Sequence, residues 1–299
     1  MDKLATLLSH FSLHADVFYT GNLCGMHDFA QDSLRGHLHV VKRGPVQLIG
    51  AQKTDIPIIE PTLVFLPRPG THRLVADEGS GADVVCGTVM FGGGGRNPIT
   101  DSLPAVVLIK LEQLSGVNAI LDLIFEEAFA KHSGRQAVLD RLCEVLIIRL
   151  LRYCIDQGLT QCGTLAGLSD PRLAQVLLAV HADPARDWDL NDMAALARMS
   201  RARFAVRFRE VIGQTPADYL TAWRIMTAQR LLKRGLQFKH VAYDVGYGSA
   251  SALARAFKRK LGCSPIEWLK SQSGAYAGMD ETSGAANETT GAHSISLQT

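Results

Sequence analysis

The chain has no run approaching the roughly 18 consecutive apolar residues of a membrane-spanning helix, so no membrane span is predicted and no membrane partner is expected. Aromatic residues make up only 7% of its 299 positions, and no Cys-x-x-Cys pair occurs among the six cysteines at 24, 86, 143, 154, 162 and 263. In a cytoplasmic protein such scattered cysteines read as thiols, not as a disulfide framework. The opening residues, MDKLATLLSH, place Asp at position 2 and offer neither a long apolar core nor a small-residue cleavage site. No secretory signal is therefore expected, and a cytoplasmic location is. The Gly92 to Gly95 run is followed by no Lys-Ser/Thr and opens no helix pattern, so it is expected to be a turn and not a phosphate loop. No Ser/His/Asp arrangement occurs either, and the chain is not expected to be an enzyme.

Net charge is also nearly absent, at +2 overall. That balance conceals a partition. Residues 188–271 hold 15 Lys and Arg against 6 Asp and Glu, residues 1–187 hold 16 against 20, and residues 272–299 hold none against 3. A basic module thus follows a mildly acidic body, which points to a polyanion as partner of the module alone. The length suffices for two domains, and 47% hydrophobic with 20% charged residues describes a globular chain.

Residues 16 to about 110 contain short runs rich in Val, Ile, Leu and Thr, punctuated by Gly, Pro and Asp. His37 to Lys42, Val46 to Ile49, Thr62 to Leu66, Val84 to Phe91 and Ala105 to Ile109 are predicted strands, a pattern that suggests a sandwich or barrel. The period then turns helical. Val117 to Lys131 forms one predicted helix and Arg135 to Gln157 a second, with Leu139, Leu142, Leu146, Leu150 and Tyr153 at helical spacing. That stripe suits either core packing or a homodimer seam. Gly158 to Ser169 is rich in small residues and reads as a linker. Asp170-Pro171 then supplies an N-cap and first-turn proline for a helix ending near His181. Residues 272–299 hold almost no large apolar side chain and are expected to be disordered.

The basic module repeats itself at an offset of 49 residues: Ser200/Ser249, Ala205/Ala254, Phe208/Phe257, Arg209/Lys258, Gly213/Gly262, Pro216/Pro265, Tyr219/Trp268 and Leu220/Leu269. Each copy reads as a short helix, a tight turn and a Ser-capped second helix: Leu190 to Ala197 then Arg201 to Val211, and Lys239 to Val245 then Ala250 to Leu261. The second helices alternate apolar positions (Phe204, Phe208, Val211; Leu253, Phe257, Leu261) with cationic ones (Arg201, Arg203, Arg207, Arg209; Arg255, Lys258, Arg259, Lys260). One face can pack while the other meets phosphates or base edges. Between the copies, Pro216 to Arg234 is a predicted helix about 28 Å long, close to the roughly 34 Å rise of one DNA turn. Double-stranded DNA is the expected partner.

The stretches "MAALARMSRARFAVRFREVIGQTPADYLTAWRIMTAQRLL" and "VAYDVGYGSASALARAFKRKLGCSPIEWL" resemble the DNA-binding domain of the AraC/XylS family of transcription regulators, over about 170–270. The N-terminal part, with "VFLPRPGTHRL", resembles the cupin-type sensor of one subgroup. The resemblance implies an α+β chain: a cupin-like β-barrel sensor (1–115), a helical dimerisation or interface segment (116–158), a linker (159–169), a double helix-turn-helix domain (170–271) and a tail (272–299). It further implies a bacterial regulator, an activator more often than a repressor, with RNA polymerase as partner and a homodimer as one assembly. The DNA-facing positions it implies are Ser200, Arg201, Ala202, Arg203, Ala205, Val206 and Arg207, then Ser249, Ala250, Ser251, Ala254, Arg255 and Lys258. Many relatives carry Arg where Val206 stands and an acidic residue where Ala250 stands. Ala202, Ala205 and Val206 would then offer apolar contact, as to thymine methyls, while Arg201, Arg203 and Arg207 hold the DNA backbone.

Three kinds of signal fit the sensor half. His37 and His39, at i and i+2 on one strand, with His72 beyond "PRPGT", resemble a cupin ligand set for a divalent metal, although the usual acidic ligand is replaced by Lys42 and Arg43. Cys24 and Cys86 could answer an oxidant by closing a disulfide. A small organic effector could instead meet His37 or Arg73 in the barrel mouth. A metal-dependent cupin enzyme fused to a helical module is the alternative of a different class.

Overall fold

The computed structural model describes residues 3–29, 35–51, 55–92, 97–130 and 132–270. Residues 93–95 of the expected glycine turn and the expected tail at 272–299 lie outside them. The chain divides between Leu220 and Thr221 into two compact units.

The first unit opens with α1 (Ala5–His10) and, among the described residues, nine strands: β1 (Leu13–Leu23), β2 (Gly25–Phe29), β3 (Gly36–Arg43), β4 (Val46–Ile49), β5 (Ile56–Ile58), β6 (Thr62–Leu66), β7 (His72–Ala76), β8 (Ala82–Phe91) and β9 (Val107–Lys110). The strands form an antiparallel five-stranded sheet ordered β1-β8-β3-β6-β9 and a four-stranded one ordered β2-β7-β4-β5. Central β3 and β6 are buried on both faces, whereas β4 and β7 alternate buried and open positions. Leu23, Leu48, Val64, Leu74, Val84 and Cys86 are among the side chains of both sheets that meet in one core. Among the described residues no ladder joins β1 to β9 or β2 to β5, so the expected barrel is two sheets packed together and not a closed cylinder. Pro57, which has no N–H to give a further neighbour, sits on edge strand β5.

Two helices follow, α2 (Val117–Phe129) and α3 (Arg135–Asp156). Leu139, Leu146 and Leu150 of the expected stripe are fully buried, beside Cys143, Ile147 and Cys154, and α3 packs on α2 and β1. The stripe is therefore core of its own chain, which removes the dimer-seam expectation for these leucines. Helix α3 also completes edge strand β1. Where β1 slips register between Val17 and Tyr19, the Val17 N–H donates to Asp140 Oδ1 (2.9 Å) and Gln136 Nε2 donates to the Val17 carbonyl (2.6 Å).

The stretch expected as a linker contains helix α4 (Thr164–Ser169), and its backbone is tied on both sides. Leu165 N–H donates to Ser102 Oγ (3.2 Å), Gln161 N–H to the Ser102 carbonyl (2.8 Å), and Ser169 Oγ to the Ile155 carbonyl (3.0 Å). Small residues here serve close packing: a Cβ on Gly167 would stand 2.3 Å from Ile212 Cδ1, and one on Gly163 2.4 Å from Ser102 Oγ. Next come α5 (Pro171–Ala182), α6 (Leu190–Leu196), α7 (Arg201–Ile212) and α8 (Pro216–Lys233), the last running through the division between the units. The second unit adds α9 (Phe238–Asp244) and α10 (Ala250–Leu261) around Ile225, Val241, Leu253, Phe257 and Trp268. Among the described residues no helix is long and apolar enough to cross a membrane.

Candidate nucleic-acid interface and sensor residues

The 49-residue repeat is reproduced in hydrogen bonds and ring contacts. Ser200 Oγ caps α7 by accepting from Arg203 N–H (3.4 Å), and Ser249 Oγ caps α10 by accepting from Ala252 N–H (3.2 Å). Both helices end on a glycine in the left-handed region, Gly213 at φ 82° and Gly262 at φ 78°, whose N–H reaches back to Arg209 and Lys258 respectively. Phe208 meets Tyr219 edge-on at 5.6 Å in the first unit, and Phe257 meets Trp268 edge-on at 5.8 Å in the second. The spacing differs in one place. Helices α6 and α9 are 48 residues apart, so the second copy carries an extra residue in its turn. The left-handed turn residue is Arg198 (φ 52°) in the first copy and Gly246 (φ 83°) in the second.

The packing face of each second helix is as expected at Phe204, Phe208, Leu253 and Phe257, but Leu261 is exposed and Ala256 takes the buried role. Of the expected DNA-facing positions, Ser200, Arg201, Ala202, Arg203, Val206 and Arg207 are exposed on α7 and at its cap, and Ala205 is half-buried. On α10, Ser249, Ser251, Arg255 and Lys258 are exposed, while Ala250 and Ala254 are half-buried. Arg207, expected to hold DNA backbone, is exposed and also has a partner within the chain. Its Nη2 lies 2.9 Å and its Nε 3.2 Å from Asp170 Oδ2, so the guanidinium is occupied within the chain. Asp170, legible in the sequence only as a cap, is thus also a partner of the recognition helix. Between the N-terminus of α5 and α7 lies an open groove of about 740 Å³, lined by Pro171, Met199, Ala202, Arg203 and Val206 among others.

In the N-terminal half the three histidines do converge. His37, His39 and His72 are all buried, and His39 Nε2 stands 2.7 Å from His72 Nε2, a hydrogen bond that joins the two sheets. Phe29, which sequence spacing did not reveal, faces His72 in the β2–β7 register and stacks on its ring at 4.9 Å and 9°. Burial holds His72 down at about 4, helped by His37 and opposed by a hydrogen bond to the Gly70 backbone. Burial, then His72 and His37, holds His39 well below its usual range. Two imidazole nitrogens on one tetrahedral ion at about 2.05 Å would stand about 3.3 Å apart, farther than this pair. Among the described residues no set of three or more His, Cys, Asp or Glu side chains could hold a metal ion. The cluster does not fit the expected metal; it is a neutral hydrogen-bonded pair under an aromatic ring. Arg73, the expected effector contact, is engaged by Asp28 across the β2–β7 ladder.

Cys24 and Cys86, the two cysteines expected to pair, do not face each other. Cys86 is buried on β8 opposite Tyr19, and burial pushes its thiol up to about 12. Cys24 is exposed just beyond β1, where its thiol donates to Asn22 Oδ1 (3.1 Å) and a Cβ on Gly81 would lie 2.7 Å from its sulfur. Cys86 pairs with Tyr19, five residues before Cys24 along the chain and about 16 Å at strand rise, whereas a disulfide needs Cα atoms within roughly 7 Å. The expected pairing therefore requires β1 and β8 to separate.

Residues 2–156 match the family model of a cupin domain, and residues 193–271 match that of a helix-turn-helix domain. An AraC-like transcription regulator of Streptomyces lividans is 36% identical over 202 residues, 66% of this chain and 66% of its own length, just under two thirds of that relative. The RCS-specific HTH-type transcriptional activator RclR of Escherichia coli strain K12 is 30% identical over 230 residues, 73% of this chain and 81% of that protein. The crystal structure of ToxT from Vibrio cholerae O395 is 14% identical, with 86% of this chain and 97% of that one covered at a TM-score of 0.37. The chain belongs to the AraC family of transcription regulators, with a cupin-type N-terminal domain and a C-terminal helix-turn-helix domain.

Proposed function

We propose that the chain is a cytoplasmic transcription activator, working with RNA polymerase, and that it answers to an oxidant at Cys24. The observation that carries this reading is the contrast between the two sensor thiols: Cys24 is exposed, while Cys86 is buried and held protonated. The name of the Escherichia coli relative, an RCS-specific activator, supports both parts. With hypochlorous acid as oxidant, the Cys24 thiolate takes the hydroxyl oxygen and chloride leaves. Sulfur is oxidised by two electrons, chlorine is reduced by two, and a sulfenic acid remains.

Oxidation removes the S–H that donates to Asn22 Oδ1, beside the paired ends of β1 and β8 at Leu23 and Ala82. From β1 the contacts continue through Val17 to Asp140 and Gln136 of α3, from Ile155 to Ser169 of α4, and from Gly163 N–H to the Val211 carbonyl of α7 (2.9 Å). This is a continuous physical path from sensor to reader.

A promoter reporter dosed with hypochlorite or hydrogen peroxide tests the reading. Induction should vanish in Cys24→Ser and persist in Cys86→Ser. Undiminished induction in Cys24→Ser overturns the oxidant assignment. Loss in both variants would instead show that the strands part and the two thiols join.

A further inference from the structure

We propose that the first helix-turn-helix unit reads thymine by apolar contact of its 5-methyl group with Val206 and Ala202. This rests on the DNA-binding role of the family. Val206 is 60% exposed, although it lies on a helix that already buries Phe204, Phe208 and Ile212. Ala202, one helical turn earlier, is exposed on the same face, so the two form a continuous apolar strip. The strip borders the groove with Pro171 and Met199, and Arg172 and Arg203 stand on the same groove. Arg201 and Arg209, both exposed, add positive charge to α7.

The groove is lined by Arg172, Arg203 and Arg207 against Asp170 and Glu210, and with Arg201 and Arg209 on α7 the net positive charge favours a polyanion as occupant. Within a polyanion of DNA, the apolar group presented to a helix in the major groove is the thymine methyl. The usual alternative, a guanidinium gripping guanine, would require Arg207 to give up its pair with Asp170. Specificity at this unit is accordingly a preference for T over C at the base pairs facing Ala202 and Val206. Arg201 and Arg203 fix register on the phosphates.

The test uses the full chain and duplexes it selects from a random library. Each thymine is replaced in turn by deoxyuridine, which lacks only the methyl. In the half-site of the first unit, one or two replacements should weaken wild-type binding about four-fold, the factor for burying one methyl-sized group. Val206→Ala, at an exposed position where folding is not at stake, should cut that penalty below two-fold. An indifferent wild type, or an unchanged penalty in Val206→Ala, overturns the proposal. So does a Val206→Ala protein that keeps its DNA profile but loses transcription, which would give the groove to a protein partner. Failure to select any duplex would strike the DNA-binding role itself.

Discussion

The Arg207 guanidinium grips the Asp170 carboxylate at 2.9 Å and so fastens α7 to the start of α5. The same carboxylate accepts the N–H groups of Arg172 (3.0 Å) and Leu173 (3.2 Å) at the head of α5. Burial tends to raise its pKa, but the hydrogen bonds from Leu173, Arg207 and Arg172 hold it below the usual carboxylate range. One side chain thus caps a helix and anchors a reader.

Removing that double role should be measurable. Asp170→Ala is expected to lose about 1–2 kcal/mol in urea unfolding, mostly from the cap. Asp170→Asn, which can still accept the N–H groups, should lose less than about 1 kcal/mol, because the ion pair is partly open to solvent. Equal losses in the two variants would give the ion pair, not the cap, the larger share.

DNA binding should be steeply salt-dependent, since the exposed cations of α7 and α10 displace counterions from phosphates. Arg255→Ala is expected to weaken binding about ten-fold. A mobility-shift titration at two salt concentrations checks both, and a flat response to salt would contradict the electrostatic contribution.

The turns of the two repeats make opposite demands. Arg198 holds a left-handed backbone at φ 52°, so Arg198→Gly should raise stability by about 0.5–1 kcal/mol. Gly246→Ala, at φ 83°, should lower it by about 1 kcal/mol. Thermal melts of the full chain give the sign of each.

Acid should loosen the sensor sheets before it protonates most carboxylates. His39 and His72 are neutral in the folded chain and carry lowered pKa values, whereas unfolded histidine titrates near 6.5. Their stability is complete above about pH 6.5 and declines as pH falls toward 4, where His72 takes its proton, by about 1.4 kcal/mol per pH unit for each group. His181, held down at about 3 by burial and then by His10, adds to the same slope. Melting temperature measured from pH 7 to 4.5 should fall, and His39→Asn with His72→Gln should flatten the curve. A parallel curve in the double variant would locate the acid sensitivity elsewhere.

The helices of the reader were legible because capping and packing are local. Ser200, Gly213, Ser249 and Gly262 mark their own ends, and the phenylalanines recur at helical spacing. Strands β3, β4, β6 and β8 were legible from β-branched runs, whereas β1 and β2 carry mixed side chains and hid the position of Phe29. Helix α4 was hidden for a related reason. Gly167 within it and Gly163 at its cap lower local helix propensity, and contacts with Ser102, Ile212 and Leu177 supply what the segment lacks.

Sequence alone determined the repeat, the basic charge of residues 188–271 and the meeting of His37 with His39 on one strand, because each depends only on order and periodicity along the chain. Tertiary structure decided that His39 bonds His72 too closely for a shared ion, that Cys24 and Cys86 stand apart on their ladder, and that Arg207 pairs with Asp170. Those outcomes depend on distances between residues 33, 62 and 37 positions apart, and such distances are set by sheet register and helix packing, not by spacing in the sequence.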